Sequence, residues 1–271
     1  MDIQKELAGY KIIPDPMKDQ FSLTDEAVIS KIVEFADLKK SDVVLEVGSG
    51  TGNLTCEIAK KAGRVIAFEF DKRFKPFLDR LPKNVEVHYE DAWNYIQLHG
   101  KFRKKKEYNK VVANPPFSLI EPFLHNLTFL EYDKVILLVP LKILKKMVVH
   151  RVFGSFFKTK IFFIVPKKKF YPLPRSNSAV IDLVKLPDPV KTKNLGLYLR
   201  QYIYQHEEQL VKNSLMDGLV KYEKLVNLKK LSKNQAREII SEKKLPEGFL
   251  QKRPEKPVIY DLVEKSFRTK L

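Results

Sequence analysis

The sequence predicts an α/β chain: a doubly wound, mostly parallel seven-stranded sheet followed by a small all-helical C-terminal domain. Short apolar runs alternate with helix-spaced segments from about residue 25 to 186. A proline-rich stretch, Leu186-Pro-Asp-Pro-Val190, interrupts them, and beyond it only helical spacing continues. The expected domains are therefore 1–186 and 187–271. With 271 residues, 44% of them hydrophobic, both can bury a core.

The first helix is expected from Thr24 as N-cap, with Asp25 and Glu26 at its positive end and Val28, Ile32 and Phe35 on one face. Residues 43–47 read as a buried strand and 53–62 as a helix. Strands at 65–69 and 85–89 bracket a helix at 72–81. A fourth strand at 111–113 precedes a helix at 119–127, and 135–139 is a fifth strand. Residues 161–165 and 179–183 complete the seven. No helix signal separates this last pair, so one is expected to run antiparallel. In the second domain, helical spacing covers 195–219, Ser232 caps a helix to about 243, and Pro257 opens a last helix to about 269.

Fifty Lys and Arg outnumber 33 Asp and Glu by 17, an excess that points to a polyanionic partner. The densest basic clusters are Lys101-Phe-Arg-Lys-Lys-Lys106 and Lys167-Lys168-Lys169. The single cysteine, Cys56, excludes an internal disulfide and a cysteine-based zinc cluster, and fits a reducing compartment. The start of the chain lacks a signal-peptide pattern, and no apolar run approaches the roughly 20 residues of a membrane span. The expectation is a soluble, cytoplasmic, monomeric protein without a membrane partner or a metal.

Four features fall at the ends of successive strands, where open α/β sheets bind ligands. Glu46-Val-Gly48-Ser-Gly50-Thr-Gly52 supplies a tight turn that a ligand can approach. Glu69, about 20 residues on, can take both hydroxyls of a ribose. Asp91, followed by Ala92-Trp93, can accept from an adenine amine. Asn114-Pro115-Pro116-Phe117 can hold a planar amine between the Asn oxygen and the next carbonyl, with Phe117 stacked on the ring that carries it. A nicotinamide dinucleotide would use the same glycine loop and acidic residue, but in a G-x-G-x-x-G spacing rather than the G-x-G-x-G seen here. S-adenosyl-L-methionine, with one nucleoside and no phosphate, fits the four positions better.

With these residues in place, the chain resembles the rRNA adenine N6,N6-dimethyltransferase family, the group of KsgA and the Erm enzymes, over nearly its whole length. Gln20-Phe-Ser-Leu23 is similar to the N-terminal Gln-Asn-Phe-Leu motif, and residues 44–55 to the donor loop. Phe68-Glu69-Phe70-Asp71 and Glu90-Asp91-Ala92 match the ribose and adenine positions. Phe170-Tyr-Pro172-Leu-Pro174-Arg-Ser-Asn-Ser178-Ala resembles Phe-x-Pro-x-Pro-x-x-x-Ser-Ala, the most specific of the matches. Residues 204–215 resemble a C-domain motif and lean toward KsgA.

The resemblance implies a Rossmann-like methyltransferase domain that methylates the 6-amino group of adenine in rRNA, with rRNA or a pre-ribosomal particle as partner. By it, Gln20, Phe21, Leu23, Gly48, Gly50, Glu69, Phe70, Asp91, Ala92 and Asn114 hold or cover the donor. Asn114 and Pro115 grip the amine, and Phe117 and Phe170 sandwich the adenine. A methyltransferase of another amine, or an inactive assembly or transcription factor on the same fold, are the competing readings.

Three departures stand out. Pro115 and Phe117 replace Leu or Ile and Tyr, and Pro115 is expected to restrict the number of methyl groups added. Glu207-Glu208-Gln209 replaces Arg-Arg-Lys, which shifts the RNA-binding charge to 101–106 and 167–169. Pro16-Met-Lys-Asp19-Gln20 replaces a Lys-x-x-Gly-Gln lead-in.

Overall fold

The computed structural model describes residues 3–99, 107–129, 132–149, 153–243, 245–254 and 257–268. The basic cluster at 101–106 lies outside them. The chain divides into two compact units, 1–147 with 159–184, and 148–158 with 185–271.

The first unit holds, in order, α1 (Ile3–Gly9), β1 (Ser22–Leu23), α2 (Glu26–Ala36), β2 (Val43–Val47), α3 (Asn53–Lys61), β3 (Arg64–Phe68), α4 (Lys75–Leu78), β4 (Val85–His88) and α5 (Ala92–His99). Next come β5 (Lys110–Ala113), α6 (Phe117–Leu127), β6 (Lys134–Pro140), α7 (Leu141–Val149), β7 (Phe157–Val165), β8 (Phe170–Tyr171) and β9 (Ser178–Lys185). Seven strands form one sheet in the order β4-β3-β2-β5-β6-β9-β7. The five from β4 to β6 are parallel, and β9 runs antiparallel to β6. The central strands are mostly apolar because both faces are covered, and β6 buries every residue from Val135 to Pro140.

Helix α2 shows how sequence and packing cooperate. Ile29, Ile32, Val33 and Ala36 form its buried stripe and join the main core with Val44, Ile58, Val112 and Val180. Its cap is Asp25, whose side chain accepts from the Val28 amide at 3.0 Å. Thr24, the expected cap, instead donates its hydroxyl to the Lys169 carbonyl at 3.0 Å. The helix ends at Asp37, which takes a left-handed turn.

A lysine is buried at the start of a central strand. Lys110, the first residue of β5, places its ammonium 2.9 Å from Asp42 and against the carbonyls of Ala36 and Asp37 at the negative end of α2. Burial pushes the Asp42 carboxyl up, but hydrogen bonds from Asn109, Lys110 and the Lys39 amide outweigh it and hold the carboxyl below its usual range. Asp42→Asn is expected to destabilise the protein by about 2 kcal/mol at pH 7, since a hydrogen bond to a charged group is lost inside the fold. The deficit should shrink as pH falls through the native Asp42 pKa, because the wild type then loses the same charge. Urea melts at pH 7 and pH 3 read both effects.

The second unit contains α8 (Leu195–Gln205), α9 (Val211–Tyr222), a π-turn at Glu223–Asn227, α10 (Lys233–Ser241) and α11 (Pro257–Ser266). Ser232 and Gln235 form a reciprocal capping box at the start of α10. The helical run expected over 195–219 is broken at 206–210. There the His206 ring stacks on Tyr202 at 4.1 Å, and Glu207 accepts from the Tyr260 hydroxyl. Segment 148–158, expected in the first domain, joins this unit instead. The buried Arg200 donates to Ser155 Oγ and Gln201 to the Ser155 carbonyl, while Phe156 packs on Tyr204.

Candidate active site

The strand order reverses at β2, which has β3 on one side and β5 on the other. The loops after β2, β3, β4 and β5 open at that reversal and, with residues 18–23, enclose a cavity of about 580 Å³. This is a volume suited to a nucleoside-sized ligand.

The glycine loop after β2 turns through positive φ at Gly48 (80°), Gly50 (53°) and Gly52 (76°). Glu69, at the end of β3, is 9% exposed. One of its oxygens accepts from the Gly50 amide and the other from the Asp71 amide, each at 2.8 Å. Burial raises its pKa in spite of these bonds. Glu46 is more deeply buried, at 1% exposure. Burial first, and then the neighbouring Glu69 charge, push its carboxyl up to about 8 against the Ser49 hydroxyl, which donates to it at 3.4 Å.

Between 4.5, the ordinary value, and about 8 the folded protein thus retains a proton that the unfolded chain has released, so stability falls as pH rises through this window. Glu46→Gln is expected to remove that slope, on the order of 5 kcal/mol across it at about 1.4 kcal/mol per pK unit. Denaturant midpoints at pH 5, 6.5 and 8 measure it, and parallel profiles for variant and wild type would refute it.

Residues 19–24 form a strap across the cavity. Gln20 Nε2 donates to Asp71 at 2.8 Å and its Oε1 accepts from the Asp15 amide at 2.8 Å, which ties the strap to the loop after Glu69. The Arg73 side chain, donating to the same Asp71, holds that carboxyl well below its usual range. On the other side, Asn53 Nδ2 donates to the Leu23 carbonyl at 3.0 Å.

Asn114 ends β5. Its Nδ2 donates to the Phe21 carbonyl at 3.1 Å, which orients the amide and leaves the oxygen as its acceptor. Pro115 and Pro116 contribute no N–H donors beside it.

Ten expected residues meet at this cavity: Gln20, Phe21, Leu23, Gly48, Gly50, Glu69, Phe70, Asp91, Ala92 and Asn114 all line it. Asp91 is exposed and accepts from the Trp93 amide at 2.9 Å. Phe70 is 75% exposed. Three others are placed differently. Pro115 is buried outside the lining, and Pro116 borders the cavity. Phe117 stacks on Phe21, with centroids 5.9 Å apart and planes at 20°. Phe170, expected as the second face of an adenine sandwich, is 6% exposed and packs in the main core, because β8 pairs it with Leu23 of β1.

Sequence reasoning missed Asp19. It lines the cavity at φ 56°, and one carboxylate oxygen accepts from the amides of Phe117 at 2.9 Å and Ser118 at 3.4 Å. Its pKa is raised by burial. The signal was its place in the lead-in where the resembling family carries glycine, a residue at home in that left-handed backbone. The partners lie 98 and 99 residues away.

The sheet order, the glycine loop at its reversal and the Asn-Pro-Pro-Phe end of β5 define a Rossmann-like methyltransferase. The chain belongs to the ribosomal RNA adenine dimethylase family, whose model matches residues 17–244. A probable ribosomal RNA small subunit methyltransferase A from Pyrococcus furiosus is 32% identical over 224 residues, spanning 78% of this chain and 79% of its own. The ribosomal RNA small subunit methyltransferase A of Thermotoga neapolitana is 29% identical over 217 residues, 75% of this chain and 80% of its own. Two solved structures share the fold. A dimethyladenosine transferase from Plasmodium falciparum has TM-score 0.55 and 19% identity, covering 89% of this chain and 94% of its own. The 23S rRNA methyltransferase ErmE has TM-score 0.54 and 18% identity, covering 90% and 98%.

Proposed function

We propose that this chain transfers methyl groups from S-adenosyl-L-methionine to the 6-amino group of adenine in small-subunit rRNA during ribosome biogenesis. It acts as a cytoplasmic monomer on rRNA or a pre-ribosomal particle. The observation that carries the reading is Asn114, fixed through Phe21 with its oxygen as acceptor at the wall of the cavity beside the glycine loop.

The residues present fit the donor. A wall carrying Glu69 and Asp91 complements two ribose hydroxyls and an adenine amine. When bound, the donor supplies an electrophilic methyl on a sulfonium that leaves as a neutral thioether. Glu69 would take the ribose, and Asp91 and Phe70 the adenine. Asn114 Oδ1 and the Pro115 carbonyl would accept from the acceptor amine and let its nitrogen become pyramidal. The target adenine must leave its stack to reach the cavity. Alignment and fixed dipoles then supply the rate. The methylated amine is acidic and loses its proton to water.

No described helix is long and apolar enough to cross a membrane. In the 167–169 patch, Lys169 forms an ion pair with Asp25, the α2 cap, whereas Lys167 and Lys168 are exposed. Reversing Lys167 and Lys168 together is expected to weaken RNA binding and flatten its logarithmic salt dependence by about one unit for each phosphate no longer neutralised. Filter binding across a salt series checks this, and an unchanged slope counts against it.

The functional test offers labelled donor and purified protein four acceptors: small-subunit precursor particles, large-subunit RNA, duplex DNA and a protein lysate. Label in small-subunit adenine supports the proposal. Label confined to another acceptor, or none at all, overturns it. Mass spectrometry of the product nucleosides reads the methyl count.

A further inference from the structure

Helix α6 opens at the clamp without a cap of its own. Pro116 stands at its N-cap and offers no side-chain hydrogen bond, and no acidic residue follows in the first turn. The Leu119 amide turns back to the Pro116 carbonyl at 3.0 Å. The amides of Phe117 and Ser118 find their acceptor 98 and 99 residues away, in one oxygen of the Asp19 carboxylate at 2.9 and 3.4 Å. A negative charge is favoured at that end of a helix. Asp19 reaches it from the strap by taking a left-handed backbone, φ 56° and ψ 29°. Glycine, which the resembling lead-in carries at this position, would adopt the same backbone and offer no acceptor. The strap around Asp19 is fixed on both sides: Gln20 donates to Asp71, and the Phe21 carbonyl accepts from Asn114 Nδ2.

We propose that Asp19 is a positioning residue for methyl transfer: as the non-local cap of α6 it sets where Phe117 stands relative to the acceptor amine. The inference rests on the functional reading above and adds a residue to it. Asp19 acts through the Phe117 backbone and not on a reacting atom. The clamp has two anchors in the strap, Phe21 for the Asn114 amide and Asp19 for the amides of Phe117 and Ser118. The Phe21 amide donates to the Asp19 carbonyl at 3.0 Å, so the segment 19–21 holds both ends of the Asn114–Phe117 tetrapeptide. Without the carboxylate, the Phe117 end loses its tie while the Asn114 end keeps its own. A shift of that end misaligns the acceptor amine. It leaves Glu69 and Asp91 in place, because they sit on the loops after β3 and β4.

The test compares full-length wild type with Asp19→Gly and Asp19→Asn. Gly keeps the left-handed backbone and removes the carboxylate. Asn tolerates the same backbone and keeps an oxygen for the two amides. The measurements are melting temperature, donor Kd by calorimetry with S-adenosyl-L-methionine, kcat and KM on small-subunit precursor particles, and hydrogen exchange at the Phe117 and Ser118 amides. Asp19→Gly is expected to speed exchange at both amides about tenfold and to lower kcat about tenfold, the worth of one cap expressed in the transition state. Donor Kd should stay within about twofold and the melting temperature within about 3 °C, because relief of the left-handed backbone offsets the lost cap. Asp19→Asn should recover kcat to within about threefold. A merely structural cap would leave the kcat of the folded variant unchanged. Wild-type kcat in Asp19→Gly overturns the proposal, as does a donor Kd that weakens by the same factor as kcat, or an Asn variant as slow as Gly. Failure of the wild type to methylate adenine in any RNA overturns the functional reading instead. Exchange at the two amides needs no substrate, which keeps that result apart from a missing cap.

Discussion

Asn114→Ala is expected to lower the single-turnover rate of methyl transfer by about 10²–10³ while donor affinity changes only a few-fold. The magnitude is that of removing one preorganised polar group aimed at a reacting atom. The chain invests several features in that one amide. β5 delivers Asn114 to the reversal point of the sheet. Proline at 115 biases Asn114 toward extended backbone and away from helix. The Phe21 carbonyl then takes the amide nitrogen, which leaves the oxygen to accept. The 6-amino nitrogen of adenine is a poor nucleophile because its lone pair is delocalised into the ring. An acceptor that draws on its N–H bonds and favours the pyramidal geometry acts on the transition state more than on the ground state. Asn114→Asp sharpens the test. It keeps acceptor oxygens but sets one against the Phe21 carbonyl, at a site now spanned by a 3.1 Å hydrogen bond. Its rate should therefore also fall, with disturbance of the strap seen as faster proteolysis near residue 21. An Ala variant within tenfold of wild type would remove Asn114 from the reaction.

The parts of the fold that were legible in the sequence are those whose burial is nearly uniform. β2, β5 and β6 are nearly continuous apolar runs, and each lies within one residue of its expected bounds. Helices α1, α5 and α7 were missed. α7 follows β6 with no turn residue between them, and its mix of Lys and apolar residues has no strong cap. The expected helix over 195–219 contains no proline at 206–210 to announce its break. What divides it is tertiary: the Tyr202–His206 stack and the Glu207–Tyr260 bond. Glu69, Asp91, Asn114 and the glycine loop were legible because each follows a strand, so strand ends alone collect them. The acceptor side was not. Whether Phe170 faces a ligand or the core depends on its pairing with Leu23, and whether Phe117 is anchored depends on Asp19. Both pairings span more than 90 residues, and no local pattern reports them.

Gly48→Ala is expected to reduce transfer by a further large factor, about 10², through a route that Asn114 does not share. Gly48 has φ 80°, where a Cβ costs about 1–2 kcal/mol. Gly50, with φ 53°, carries a comparable backbone penalty. The two differ in what the new atom meets. At Gly50 the nearest neighbour of a Cβ is Ser22 Oγ at 4.0 Å. At Gly48 it would stand 2.9 Å from Pro116 Cδ and 3.4 Å from the Asn114 carbonyl oxygen. The Pro116 ring cannot rotate away, since its closure fixes φ, and it caps α6 at the residue before Phe117. The overlap must therefore pass into the backbone of the clamp itself. A shift there approaching 1 Å is enough to cost about 10²-fold in a reaction that depends on alignment. Without donor, Gly48→Ala should melt below Gly50→Ala by the steric part alone, and its loss of transfer should persist at saturating donor. Equal melting temperatures for the two variants would show that loop and clamp are not in contact. If instead they differ as expected, the glycine beside Pro116 is a coupling element as well as a turn: the loop that shapes the donor side of the cavity also sets the position of the amide that holds the acceptor.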